Sequence, residues 1–225
     1  LLMDYDFIPF FLSLKLASIT TIILLLIGIP LAHFLAFTSS RLKPFIHTLV
    51  ALPLVLPPSV IGFYFLLLFS PANSIGKFLE DNFNLRLVFS FEGLIIGSVF
   101  FGIPFMINPI ASSFENCPRS LIEAAHTFGK SKWETIQRVI IPFSKLAILS
   151  ATIMTFAHTL GEFGLVLMIG GSIPDKTKLA SIAIYQEVEM LHYESAHLQS
   201  LLILTTSFLL LFALQVTQYK KKEKF

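Results

Sequence analysis

Charge is what this chain of 225 residues has least of: charged residues make up 13% of it, against about 25% in soluble domains. So few charges cannot cover a surface that faces water, which excludes one or two ordinary soluble domains. Cysteine is nearly absent too. Cys117 stands alone, which excludes an internal disulfide and every multi-cysteine metal or iron–sulfur site. The net charge of +2 is too small to point to nucleic acid without a local basic cluster. No G-x4-GK[ST] phosphate loop occurs, so nucleotide cannot be bound in the usual P-loop manner. The N-terminal LLMDYDFIPF has no basic residue ahead of its apolar run, and is expected to be a retained first span and not a targeting peptide. Tandem repeats and low-complexity linkers are missing as well, so residues 1–225 are expected to form a single transmembrane domain.

What is present is apolar. Hydrophobic residues reach 55%, phenylalanine occurs 24 times, and mean hydropathy is +0.79. A membrane helix needs about 20 mostly apolar residues. Four stretches free of Asp, Glu, Lys and Arg meet that length: Leu16–Ser40, Phe45–Gly76, Gly93–Phe114 and Ser195–Tyr219. A fifth, Val139–Leu160, contains only Lys145, near one end where its stem can snorkel. The expected class is an all-α integral membrane protein with five transmembrane helices at about 16–37, 45–70, 93–114, 139–160 and 198–219. A sixth run, Phe163–Gly170, is too short to cross and reads as an external re-entrant half-helix. With the C-terminus inside, eleven Lys and Arg fall on the cytoplasmic side and five outside, which favours N-out, C-in. The KKKEK tail then reads as an anchor on anionic lipid.

The predicted cytoplasmic loop 115–138 carries two capping-box spacings, Ser120 with Glu123 and Ser131 with Glu134. Gly129 supplies a left-handed stop, so a short helix is expected over Leu121–Phe128 and a second from Ser131 into the next span. Ala124 and Ala125 keep one part of the short helix small. By physics alone it is equally a rigid knob for another protein or an amphipathic helix lying on lipid.

Glu123-Ala124-Ala125, three residues, Gly129, nine residues, then Val139-Ile140-Ile141-Pro142 resembles the EAA loop of ABC-importer permeases. Leu52-Pro53-Leu54-Val55-Leu56-Pro57-Pro58-Ser59 and Gly161-Glu162-Phe163-Gly164, with Gly170-Gly171-Ser172-Ile173-Pro174 after it, resemble the molybdate branch of that family, which is similar in turn to the sulfate permeases. The resemblance implies the type I importer permease fold, with Ser120, Glu123, Ala124, Ala125 and Gly129 in a coupling helix that docks on an ATPase. It also implies a gate near Pro57, Pro58, Gly161, Glu162, Phe163, Gly164, Gly170 and Gly171. Asp175 departs from it, standing where a small residue is expected. Implied partners are a second copy of the permease, an ABC ATPase carrying ATP and magnesium, and an external, periplasmic oxyanion-binding protein. No cofactor is expected on this chain, no nucleic acid, and a multi-pass place in the cell inner membrane. The implied substrate is molybdate, with tungstate or sulfate and thiosulfate as alternatives.

The residues fit a weak oxyanion path. The spans offer hydroxyls and amides (Ser18, Thr20, Thr21, Ser59, Ser98, Asn108, Thr152, Thr155, Thr159) and no central Arg or Lys. Most such hydroxyls are expected to bond within their own helix. Pro57-Pro58 is either a gate hinge or a static kink, and Pro30, Pro53, Pro104 and Pro109 read as packing features. Glu162, four residues after His158, is expected to cap or pair locally, and neither it nor the other histidines (His33, His47, His126, His192, His197) shows metal spacing. An intramembrane enzyme would need acids within the spans, which are missing; a self-standing channel or secondary carrier would have no use for the loop.

Overall fold

The computed structural model describes residues 6–222, with side chains as far as Tyr219. The basic tail expected to anchor the C-terminus, and the first five residues, lie outside the described side chains. The described residues form helices and connections, without strands. In order these are α1 (Ile8–Phe37), α2 (Lys43–Val55), α3 (Pro58–Phe69), α4 (Ser74–Phe83), α5 (Phe91–Glu115), α6 (Arg119–Thr127) and α7 (Lys132–Thr135). A π-helical segment (Ile136–Ile140) follows, then α8 (Ile141–Phe143), α9 (Lys145–Leu160), α10 (Gly164–Gly170), α11 (Ala180–Glu189) and α12 (Tyr193–Lys222).

Helices α1, α5 and α12 are each long and apolar enough to cross a membrane, and two bent pairs raise the number of candidate crossings to as many as five. The second and fourth expected spans are therefore not straight rods. Helices α2 and α3 meet at 108°. Two successive prolines remove two N–H donors there, and Leu56 and Pro57 take extended ψ values of 137° and 135°, as residues ahead of proline must. The limb from Lys132 to Phe143 meets α9 at 70°, with Ser144 at the corner (φ −90°, ψ 8°). Before the corner the Ile141 N–H reaches back to Ile136 O, five residues away. The single prolines Pro30, Pro53, Pro104 and Pro109 lie inside continuous helices.

Three further boundaries differ from expectation. Helix α1 starts at Ile8, with Pro9 preset for the first turn, and so carries Lys15 within it. Helices α4 and α11 were not expected; α4 is polar enough to hide in a hydropathy profile, and begins at Asn73, whose side chain accepts from Ile75 N–H. The short run after Phe163 does form a half-helix, α10.

Helices α1, α5 and α9 pack together at the centre. Leu24, Ala32, Leu35, Met106, Ile107, Ile110, Phe114 and Ala151 are fully or almost fully buried between them. A second core joins α3, α10 and α11 to α1 and α5 through Leu16, Ile61, Leu94, Leu165, Ile169 and Ile182. Non-spanning backbone at membrane depth is tolerated only inside protein or beside water, and α10 meets that condition. Helix α12 is the opposite case, with only 6% of its most apolar stretch buried; Leu204, Phe208 and Phe212 point outward, as side chains solvated by lipid do.

Close packing at the centre uses small residues. A Cβ on Gly102 of α5 would lie 2.7 Å from Leu24 Cδ1 and 3.6 Å from Thr155 Cγ2, so α1 and α9 both reach α5 there. Gly102→Val should cost about 1–3 kcal/mol by overpacking, lowering the thermal midpoint of the purified protein by about 2–4 °C per kcal/mol. An unchanged midpoint would mean that the three helices are not in contact at this level.

Candidate functional site

One cleft, of about 720 Å³, opens where the α2–α3 elbow faces the α9–α10 junction. It is lined by Pro58, Ser59, Phe101, Ala157, His158, Gly161, Glu162, Phe163 and Gly164. Five of the sequence-derived gate positions thus meet: Pro58, Gly161, Glu162, Phe163 and Gly164. Pro57 caps α3 beside them. Gly170 and Gly171 lie elsewhere, at the far end of α10. A Cβ on Gly170 would meet Leu94 and Thr177, while Gly171 turns with φ +64° against the Phe89 ring.

Glu162 does not cap or pair locally as expected. Gly161 ends α9, and the next residue turns inward until it is 4% exposed. Its Oε2 accepts a hydrogen bond from Ser98 Oγ on α5 at 2.8 Å, and its carbonyl accepts one from Ser181 Oγ on α11 at 2.6 Å. Oε1 has no partner among the described residues, nor has Nε2 of His158. The His158 ring stacks on Phe105 with centroids 3.9 Å apart. Ser181 was not singled out by sequence, and Ser98 was only one span hydroxyl among several.

Ser59 apart, the remaining span hydroxyls divide into two groups. Ser18 and Thr152 bond to carbonyls four residues back in their own helices. Thr20, Thr21, Thr155 and Thr159 are buried without a partner among the described residues, at the packed centre and away from the cleft. Of the hydroxyls proposed for a path, Ser59 reaches the cleft wall. It stands in the first turn of α3, where Pro58 has no N–H and those of Val60 and Ile61 bond to Pro57 O, so the donors on offer are Ser59's own N–H and hydroxyl.

The loop between α5 and α9 is the second candidate. Helix α6 starts at Arg119 with Pro118 as its cap, and no side-chain cap hydrogen bond forms. The Ser120–Glu123 capping box is therefore not made: proline fixes the start two residues earlier, and Leu121 N–H bonds to Pro118 O. Ser120, Glu123 and Ala124 are exposed, whereas Ala125 faces inward at 8%. The stop is as expected. Gly129 takes φ +74°, and Lys130 N–H to Ala125 O with Gly129 N–H to His126 O complete a Schellman ending. The second box does form: Glu134 N–H donates to Ser131 Oγ at 3.2 Å and Ser131 N–H to Glu134 Oε2 at 3.1 Å. The Ser131 backbone donor, then the Lys130 ammonium, hold the Glu134 carboxyl below the usual carboxylate range. Lys43 and Glu115 pair at 2.8 Å and tie the start of α2 to the end of α5. Leu121, Phe128 and Trp133 are left exposed. Among the described residues no three His, Cys, Asp or Glu side chains converge as metal ligands do.

These caps predict a contrast. Ser131→Ala should destabilise the start of α7 by about 0.5–2 kcal/mol, while Ser120→Ala and Glu123→Ala should shift local stability by less than about 0.5 kcal/mol. Amide hydrogen exchange across 119–136 reads the difference. Because the Glu134 carboxyl titrates lower when folded, its contribution is complete above the ordinary carboxylate range and is lost as pH falls through the lowered value. Equal exchange in Ser131→Ala and Ser120→Ala would overturn the capping assignment.

Comparison with known proteins agrees with this architecture. Residues 9–222 match the family model described as "Binding-protein-dependent transport system inner membrane component". The chain is 43% identical over 213 residues to the Molybdenum transport system permease protein ModB of Azotobacter vinelandii, covering 95% of this chain and 94% of that one. It is 33% identical over 181 residues to the Probable sulfate transport system permease protein cysT of Chlorella vulgaris, covering 79% and 68%. Among solved structures, it superposes on a chain of a bacterial ABC transporter involved in the import of the acidic polysaccharide alginate. The TM-score there is 0.79, at 15% identity, covering 95% of this chain and 78% of that one. With apolar helices, an elbow at Pro57-Pro58 and a loop helix stopped at Gly129, this chain belongs to the family of binding-protein-dependent transport system inner membrane components.

Proposed function

We propose that the chain is the membrane permease subunit of an ABC importer that carries molybdate, or tungstate, across the cytoplasmic membrane. The observation that carries this is the likeness to ModB, which runs through almost the whole of both chains. Two copies form the pathway, with the N-terminus outside and the C-terminus inside, five spans per copy, and α10 on the external side. ATP and magnesium are bound by a separate ATPase, on which α6 docks, and an external binding protein delivers the anion. The chain itself performs no covalent chemistry.

The geometry supports the docking helix and the weak anion path. Helix α6 is stopped at Gly129 and followed at once by a capped helix, which makes it a compact, fixed projection with Leu121, Phe128 and Trp133 free to enter a partner. The cleft wall offers Ser59 and the first turn of α3 but no cation. A doubly charged oxyanion would be held weakly there, as a path that must also release it requires. Likeness to cysT favours sulfate as the second reading.

Proteoliposomes holding this permease with its ATPase and binding protein should accumulate labelled molybdate only with ATP, and excess unlabelled sulfate should compete poorly. Stronger uptake of sulfate than of molybdate would transfer the assignment to the second reading. Cysteine labels at Lys77 and Asp175 should react in intact cells, and one at Lys132 only after permeabilisation; labelling of Lys132 from outside would reverse the orientation. Gly129→Val puts a β-branched residue at φ +74°. It should insert normally but co-purify with little ATPase. Wild-type ATPase content with unchanged uptake would remove α6 from the coupling.

A further inference from the structure

Half-helix α10 is hydrogen-bonded toward α5 and α11 and held to α3 by packing alone. At its start, Glu162 accepts from Ser98 of α5 through its carboxylate and from Ser181 of α11 through its carbonyl. At its end, Ile169 O accepts from Phe89 N–H at 2.8 Å and Gly170 O from Thr177 Oγ1 at 2.6 Å. Leu165 and Ile169 also press into the space at Gly97 of α5. Toward α3 the contact is of another kind. Among the described residues no hydrogen bond joins α3 to α10. The two helices pack closely: Ile61 is buried with Leu165 and Ile169, a Cβ on Gly62 would lie 2.8 Å from Met168 Cβ, and glycines bring the backbones together. A Cβ on Gly62 would lie 3.1 Å from the Leu165 backbone, and one on Gly164 would lie 3.3 Å from Pro58 Cβ and Ser59 N. Glycines let the backbones approach closely there, no hydrogen bond has to break for the contact to shift, and the Pro57-Pro58 elbow lies next to them.

We propose that Glu162 is a positioning residue of the gate: with Ser98 and Ser181 it pins the α9–α10 junction to α5 and α11, so the cleft opens by α3 moving over α10 at Gly62 and Gly164. The inference deepens the transport reading given above and rests on it. It differs from an electrostatic role, in which the carboxylate would act on the passing anion through its charge. Glutamine separates the two, because its amide oxygen still accepts from Ser98 while the charge is gone.

The test uses the full complex of permease, ATPase and binding protein in proteoliposomes, with labelled molybdate. Glu162→Gln should keep the molybdate moved per ATP hydrolysed within about twofold of wild type. Glu162→Ala and Ser98→Ala should lower that ratio by about tenfold, the scale of one lost buried hydrogen bond, with complex yield and ATPase rate retained. A merely structural role would lower yield and melting temperature and leave the ratio alone. Should Glu162→Ala not assemble, Ser98→Ala carries the test from the α5 side. Glu162→Gln as poor as Glu162→Ala would assign the effect to charge and overturn the proposal, as would a normal ratio in Ser98→Ala.

A second measurement needs no substrate. Spin labels on the exposed positions Ile96, Met168 and Tyr64 report α5, α10 and α3. On adding ATP the Met168–Tyr64 distance should change and the Met168–Ile96 distance stay constant. A constant Met168–Tyr64 distance, or a change confined to Met168–Ile96, would overturn the proposal. Absence of molybdate uptake alongside the expected distances would count against the substrate and not against the positioning role.

Discussion

Unpaired backbone is the constraint on which this structure turns. In apolar surroundings each unsatisfied N–H or C=O costs several kcal/mol, so a helix can stop at membrane depth only where another group takes over its last bonds. The chain stops or bends three times in its apolar segments, at Pro57, Ser144 and Gly161. At both ends of α10 the replacement bonds are explicit: Ser181 serves the Glu162 carbonyl beside Gly161, and Thr177 and Phe89 serve the far end. Burial of Leu165, Val166 and Ile169 keeps lipid away from the rest. Sealing the break is what makes room for a cleft beside it.

The same economy of donors shapes the loop. Helix α6 has nine residues, too few to persist alone in water. Its end is closed by Gly129, the next helix is opened by Ser131 and Glu134, and Ile122 and Ile136 pack on the core beneath. What projects is then rigid for local reasons, and a load applied to it is passed on and not absorbed. The route leads from α7 through α9 to Gly161, one residue from the buried carboxylate.

Much of this was legible in residue order. Uncharged runs located the apolar helices, Gly129 located the end of α6, and two glycines with a short apolar run between them marked α10. Pro57-Pro58 announced a break, though not an angle of 108°, because that angle is set by what α3 packs against. Other features were hidden. Ser120 and Glu123 have the spacing of a capping box, yet Pro118 starts the helix earlier and takes the position the serine needed. Glu162 looked like the polar end of a span. Its partner Ser98 is 64 residues away, and only the packing of α5 against α9 and α10 brings them together. The first miss is local, a proline two residues upstream overriding a spacing; the second depends on distant helices that no local signal describes.

The corner at Ser144 has a mechanical meaning. Two limbs joined at 70° behave as a crank: a push along the first limb projects mainly across the second. A displacement applied to α7 would arrive at α9 as a sideways swing about Ser144, widest at the end where Gly161 stands. A straight helix of the same length would deliver that push as a piston stroke along its own axis, toward the membrane surface and not toward the neighbouring helices.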